Sequence, residues 1–212
     1  MKSTPTTMSF RYRAFRRFMI LLGRILFGFT VHGAENVPKT GPLILASNHS
    51  QYADPVLVNM AVPRRVQWMG KKELFVFPFG KFFRFIGTFP VDRQSGGRAA
   101  LRAALDYLEN GWALGIFPEG THRNDGTAKD AKSGVVMLSA RGNARVLPIY
   151  MGHIPTPAER LRGAKLHAYI GQSMTIDNTL KGGKAYREAA DEILKAIYAL
   201  PEKHTVKLGE ER

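Results

Sequence analysis

Pro42-Leu43-Ile44-Leu45-Ala46-Ser47-Asn48-His49-Ser50-Gln51-Tyr52-Ala53-Asp54-Pro55 is the stretch whose reading decides the fold. A Gly41-Pro42 turn signal opens it. A short apolar run follows, of the kind that forms a buried strand. Asp54-Pro55 is a helix start, with Asp as N-cap and Pro at the first helical position, and Val56 to Val62 continue the helix. The polar residues from Asn48 to Ala53 therefore form a loop at the C-terminal end of a strand. In α/β sheets that edge is where ligands bind.

The rest of the chain repeats the pattern. Strands are expected at Val66–Met69, Thr88–Val91, Ala113–Phe117, Arg145–Met151 and Lys165–Ile170. Between them, Lys72 to Phe85 reads as one or two short helices broken near Pro78 and Gly80. Ser95 to Glu109 reads as a helix capped by Ser95, with Leu101, Leu105 and Leu108 on one face and Gly111 past its end. Lys132–Arg141 and Gly182–Leu200 are further helices, the last stopped by Pro201. Strands alternating with helices indicate an α/β fold: a layered αβα domain with a mixed, largely parallel sheet. With 212 residues and no internal repeat, one domain is expected over residues 33–201, with a polar tail over 202–212.

Composition narrows the function. There is no cysteine, which excludes a thiol nucleophile, disulfides and thiolate metal sites. The formal net charge of +14 calls for an anionic partner: nucleic acid, an acidic membrane surface or phosphorylated substrates. Residues 1–32 help to choose, since Met1 to Thr30 contains six basic residues, no acidic one and a large apolar payload. Its apolar core, Phe18 to Phe29, is 12 residues long and holds Arg24. A spanning helix needs roughly 20 apolar residues. No small-residue cleavage site follows Phe29, so a signal peptide also fits poorly. The expectation is a basic amphipathic helix lying in a membrane interface, with Arg11, Arg13, Arg16, Arg17 and Arg24 at the headgroups. The plain alternative is a helix packed on its own domain.

Within the opening stretch, His49 and Asp54 are a base and a carboxylate to orient it. Five residues are about 500° on a helix, so the two cannot meet on one regular helix. They can meet if His49 lies on the loop and Asp54 opens the helix. Spacing alone is weak evidence, because six His and seven Asp produce this separation by chance in about one such chain in five. The structural alternatives are a cap at Asp54 and a satisfied loop histidine at His49. A second loop, Phe117-Pro118-Glu119-Gly120-Thr121, also follows an apolar strand. There Glu119 can hold a hydroxyl or fix a neighbouring loop, Gly120 admits a close ligand and Thr121 adds a hydroxyl. A third stretch, Lys71 to Arg93, mixes Lys71, Lys72, Lys81, Arg84 and Arg93 with seven phenylalanines. Lys and Arg bind phosphates, and Arg93 is favoured because it ends a strand. Most of these phenylalanines are expected in the core.

Taken together, the chain resembles the glycerolipid acyltransferase family, in its 1-acylglycerol-3-phosphate acyltransferase branch. Four ordered blocks carry the resemblance, from about Gly33 to Tyr150. They are Asn48-His49 through Asp54, Lys71-Lys72-Glu73-Leu74-Phe75 through Val91-Asp92-Arg93, Phe117 to Thr121, and Val146-Leu147-Pro148-Ile149, with Lys132 and Gly134 between the last two. Two departures stand out. His122 occupies the place of the family's arginine, with Arg123 one position later, and the stretch from Lys72 to Gly80 is about one residue shorter than usual.

The resemblance implies transfer of a fatty acyl group from acyl-CoA or acyl-carrier protein to the hydroxyl of a lysophospholipid. His49 would act as base, and Asp54 would fix its tautomer and stabilise the imidazolium. Lys71 or Lys72, Arg93 and Arg123 would hold phosphates, and Glu119, Gly120 and Thr121 would shape the acceptor site. No metal and no cofactor beyond the acyl donor is expected. The expected place of work is the cytoplasmic face of the cell membrane, as a peripheral or monotopic protein. A thioester hydrolase and an acyltransferase for another acceptor are the nearer rivals. A non-enzymatic lipid- or nucleic-acid-binding protein is the distant one, and no nucleic-acid partner is expected.

Overall fold

The computed structural model describes residues 8–92, 97–120 and 131–202. Its centre is strand β2 (Leu43–Ser47), the run quoted above, and every residue of it is buried. It lies between β5 (Ala113–Ile116) and β6 (Arg145–Met151), parallel to both. Beyond β5 come β3 (Val66–Lys71) and β4 (Thr88–Val91), also parallel. Beyond β6 come β7 (His167–Ile170), antiparallel to it, and β1 (Thr30–His32) at the edge. The sheet order is β1-β7-β6-β2-β5-β3-β4, mixed and largely parallel as expected.

Alternation along β2 explains the layers. Leu43 and Leu45 face one side, with Leu57 and Val58 of α2 (Asp54–Ala61) and with Phe29, which follows α1 (Phe10–Phe27). Ile44 and Ala46 face the other, with Ala104 and Leu108 of α4 (Arg98–Glu109), Val135 and Val136 of α5 (Gly134–Gly142), and Ile193 and Ile197 of α7 (Gly183–Tyr198). A strand apolar on both faces must be covered on both. A short helix α3 (Phe79–Phe85) precedes β4, and α6 (Pro157–Leu161) precedes β7.

Several local expectations are corrected. Thr30–His32, for which the sequence predicts no strand, is a sheet strand paired with β7. The N-cap position of α4 is Gly97, so the helix starts later than a Ser95 cap requires, and Ser95 itself lies outside the described residues. Helix α6 was not expected, although Thr156-Pro157-Ala158-Glu159 spells a capping box in which Thr156 and Glu159 exchange hydrogen bonds. Lys72 to Phe85 resolves into a 3-10 turn (Lys72–Phe75) and α3.

Helix α1 packs on α2 by a polar contact. The Arg16 guanidinium donates to the carbonyls of Asn59 (3.0 Å) and Met60 (2.7 Å) at the C-terminal end of α2. The helix dipole makes that end a cation site. Burial pushes the Arg16 guanidinium below its ordinary pKa and the neighbouring Tyr12 phenol above its own. Arg16 is thus not available to lipid headgroups, in contrast to the expectation above.

Candidate active site

Because β2, β3, β4, β5 and β6 are parallel, their C-terminal ends share one edge. His49 leaves β2 there, Phe117 leaves β5, and Lys71 ends β3, with Lys71 and Lys72 both exposed. The sequence therefore sets the first, second and third motifs along one rim.

His49 and Asp54 do meet. His49 Nδ1 lies 3.0 Å from Asp54 Oδ2. The Asp54 side chain is fully buried, while the imidazole is 18% exposed. Asp54 is not the N-cap of α2: Ala53 holds that position and Asp54 is the first helical residue. Its carboxylate turns back instead. The same Oδ2 accepts the backbone N–H groups of Ser50 (2.9 Å) and Gln51 (2.8 Å). Three donors on one buried oxygen replace the water that the carboxylate has lost. With a carboxylate as acceptor, Nδ1 carries the hydrogen and donates it, which leaves Nε2 as the basic nitrogen.

The loop that carries His49 is clamped to the neighbouring strand. Asn48 Nδ2 donates to Met151 O (2.9 Å), and Met151 N donates to Asn48 Oδ1 (2.7 Å). Gln51 repeats this two-way contact: Nε2 donates to Gly152 O (3.1 Å) and Oε1 accepts from Ile154 N (3.2 Å). Each side-chain amide stands in for a peptide group, so the loop is pinned to the end of β6 as if by sheet pairing.

One face of the imidazole rests on a pile of rings. Phe117 stacks on His49 at 3.9 Å between centroids and 13° between planes, and Trp68 stacks on Phe117 at 5.0 Å. Trp68 Nε1 donates to Asn59 Oδ1 (3.2 Å), and Asn59 Nδ2 donates to Ile86 O (3.1 Å). Gly115, paired with Trp68 across the sheet, makes room for the pile: a Cβ there would meet the indole ring at 2.4 Å. Trp68, Asn59 and Gln51 went unmarked in the sequence, since their partners lie on other strands and loops.

The second loop is fixed differently. Glu119 is buried, and Tyr198 of α7 donates its hydroxyl to Glu119 Oε1 at 2.9 Å. Gly120 has φ +74°, which favours glycine, and Lys132 folds over it with its Cγ 3.1 Å from where a Cβ would stand. Lys132 N donates to Pro118 O (2.8 Å). Arg93, Thr121, His122 and Arg123 lie outside the described residues.

Residues 28–152 match the family described as Acyltransferase. A 1-acyl-sn-glycerol-3-phosphate acyltransferase of Bacillus subtilis is 30% identical over 151 residues, 69% of this chain and 74% of that relative. One of Streptococcus pneumoniae is 28% identical over 135 residues, 62% of this chain and 50% of that relative. The crystal structure titled as the 1-acyl-sn-glycerophosphate (LPA) acyltransferase PlsC of Thermotoga maritima shares the fold, with a TM-score of 0.63, 23% identity, and coverage of 90% of this chain and 82% of that one. The family match spans more than half of the chain and includes both His49 and Asp54: the chain belongs to the acyltransferase family.

Proposed function

We propose that the protein moves a fatty acyl group from a thioester donor, acyl-CoA or acyl-carrier protein, to the sn-2 hydroxyl of 1-acylglycerol-3-phosphate, giving phosphatidic acid for phospholipid synthesis. The observation that carries the chemistry is the 3.0 Å contact between His49 Nδ1 and buried Asp54 Oδ2. The names of the relatives support the acceptor.

In this mechanism the acceptor hydroxyl attacks the thioester carbonyl while His49 Nε2 takes its proton. Asp54 holds the imidazole and offsets the charge of the imidazolium that forms. As the tetrahedral intermediate collapses, the C–S bond breaks and His49 returns the proton to the leaving thiolate. The substrate supplies the hydroxyl, so no acyl-enzyme is formed. The phosphate groups are assigned to Lys71 or Lys72, Arg93 and Arg123, and the acceptor site to Glu119, Gly120 and Thr121. Work at the cytoplasmic membrane face, with α1 on an anionic surface, belongs to the same proposal. No helix among the described residues is long and apolar enough to cross a membrane.

The test is transfer of labelled acyl groups from each donor, in detergent, to lysolipids with and without a bare head-group phosphate. Label in phosphatidic acid supports the proposal. Label released only as free fatty acid overturns it in favour of a hydrolase, and transfer only to uncharged acceptors overturns the phosphate assignment.

A further inference from the structure

The phenylalanines expected in the core are the point of departure. Between Leu74 and Phe82, five apolar side chains face solvent: Leu74, Val76, Phe77 at 88% exposure, Phe79 and Phe82. A surface so apolar is seldom left to water. Lys71, Lys72, Lys81 and Arg84 stand exposed around it, with Glu73 the one acidic side chain of the stretch.

This patch is joined to the exposed face of α1. Phe15 makes edge contacts with Phe82 and Phe85 of α3, with ring centroids 6.3 and 5.3 Å apart, and Tyr12 does so with Phe85 at 5.8 Å. At about 100° per residue, the buried Tyr12 and Gly23 lie to one side of Phe15, and Phe18, Ile25 and Leu21 lie about 60–120° to its other side. Phe18, Ile25 and Leu21 are all exposed. Continuing round the helix, Arg17, Arg24 and Arg13 come next, all exposed. The apolar band thus runs from the outer face of α1, past Phe15, to α3, with cations along its margins. The 3-10 turn that carries Leu74 begins directly after Lys71, at the sheet edge where His49 stands.

We propose that Leu74 to Phe82 is a second membrane-inserting element, which seats the active-site edge on an anionic bilayer together with α1. The inference rests on the reading of α1 as bilayer-facing. An apolar centre with a basic margin, on a chain of net charge +14, complements acidic lipid headgroups over an acyl interior. In that position an acceptor already held in the leaflet meets His49 without leaving the membrane.

The chain has no cysteine, so a single one can report on each site. Phe77→Cys and, on the exposed face of α7, Lys184→Cys are labelled with an environment-sensitive fluorophore. The full-length protein is then mixed with phosphatidylcholine vesicles containing about one-third phosphatidylglycerol. The probe at position 77 is expected to shift to the blue and to be quenched by lipids spin-labelled in the acyl chain, and the probe at position 184 to do neither. The double variant Phe77→Ser/Phe79→Ser is expected to lower the vesicle partition coefficient about tenfold or more, with transfer in detergent retained. A position-77 probe that stays in water while the protein binds vesicles overturns this element and leaves α1 as the anchor. Absence of vesicle binding overturns both. A shift caused by an acidic carrier protein but not by vesicles overturns the bilayer as the partner. The reaction in detergent is read separately, so none of these outcomes bears on the acyl transfer itself.

Discussion

The His49 corner and the α1–α3 face break the usual rule of burial in opposite directions. In the corner, polar groups are inside: Asp54 is fully buried and Asn48 nearly so. Each has fixed partners, three donors on Asp54 Oδ2 and two backbone contacts for Asn48. On the face, apolar groups are outside: Phe10, Phe77, Phe79 and Ile25 are all exposed. The difference lies in what can compensate. A buried carboxylate can be repaired from within by hydrogen bonds. An exposed phenylalanine has no internal remedy and needs an apolar neighbour from elsewhere. The His49–Asp54 contact is thus held from within the chain, whereas the α1–α3 face leaves apolar side chains uncovered among the described residues.

The largest effect should come from the corner. His49→Ala removes the base and should lower transfer by about 10²–10⁴-fold. Ser50 and Gln51 still donate to Asp54 and the Asn48 clamp stays in place, so the protein should remain folded, with a lower Tm from the lost donor and ring stack. A folded His49→Ala protein with full activity would break the contrast at once. Next comes Asp54→Asn. The sequence expectation is loss through the wrong tautomer. The geometry gives a different reason. All three donors converge on Oδ2, and an amide oxygen in that place keeps them all. What goes is the charge opposite the imidazolium, and the amide NH₂ falls where Oδ1 has no hydrogen-bond partner among the described residues. We expect kcat to fall on the order of 10²-fold with KM nearly unchanged. An equal rise in KM would point to a displaced loop instead.

The two regions also differ in how far the sequence discloses them. The corner was legible because its signals are local: a strand, a loop and a helix within Pro42 to Pro55 decide that His49 and Asp54 can meet. The sheet was legible for the same reason, since each apolar run stands between turn signals. Three-residue β1 was not, because Thr30–His32 is too short for a period and forms only by pairing with β7. Gln51 and Trp68 were missed because their partners, Gly152, Ile154 and Asn59, come from pairing and packing that no local pattern encodes. The exposure of Phe77 and Phe79 is not legible for a physical reason: hydrophobicity alone does not separate a core side chain from a surface one, and only the fold shows which side chains on and before α3 are covered. The capping box of α6 is by contrast a local signal, present in the sequence as Thr156-Pro157-Ala158-Glu159.

The clamp beneath the corner offers a test of intermediate size. Asn48→Ala leaves the N–H and C=O of Met151 without the partners that now serve them. Each orphaned buried group costs about 1–3 kcal/mol. The midpoint of urea unfolding should fall accordingly, and activity should fall with it, because the loop that holds His49 is released. Asn48→Asp keeps an acceptor for Met151 N but turns a buried carboxylate oxygen toward Met151 O, so it should be no more stable than Asn48→Ala. Because Asp keeps the shape of Asn, a fully stable Asn48→Asp protein would mean that the clamp acts through packing.

The smallest effect tests the seam between the two regions. Arg16 lies on the inward side of α1 with the buried Tyr12 and Gly23, and it bonds the Asn59 and Met60 carbonyls near the end of α2. Arg16→Met keeps the length and apolar stem of the side chain but removes both donors. The loss should be about 1–3 kcal/mol, read as a lower Tm. Because α2 begins with Asp54 and ends at these carbonyls, loosening its far end should disturb the dyad less than the Asn48 change does. Vesicle binding should be unchanged, since Phe18, Leu21 and Ile25 lie on the other side of α1 from Arg16. If Arg16→Met instead weakens vesicle binding as strongly as the loss of an exposed arginine such as Arg17, then Arg16 reaches the headgroups, and the division between an inner polar face and an outer lipid face of α1 fails.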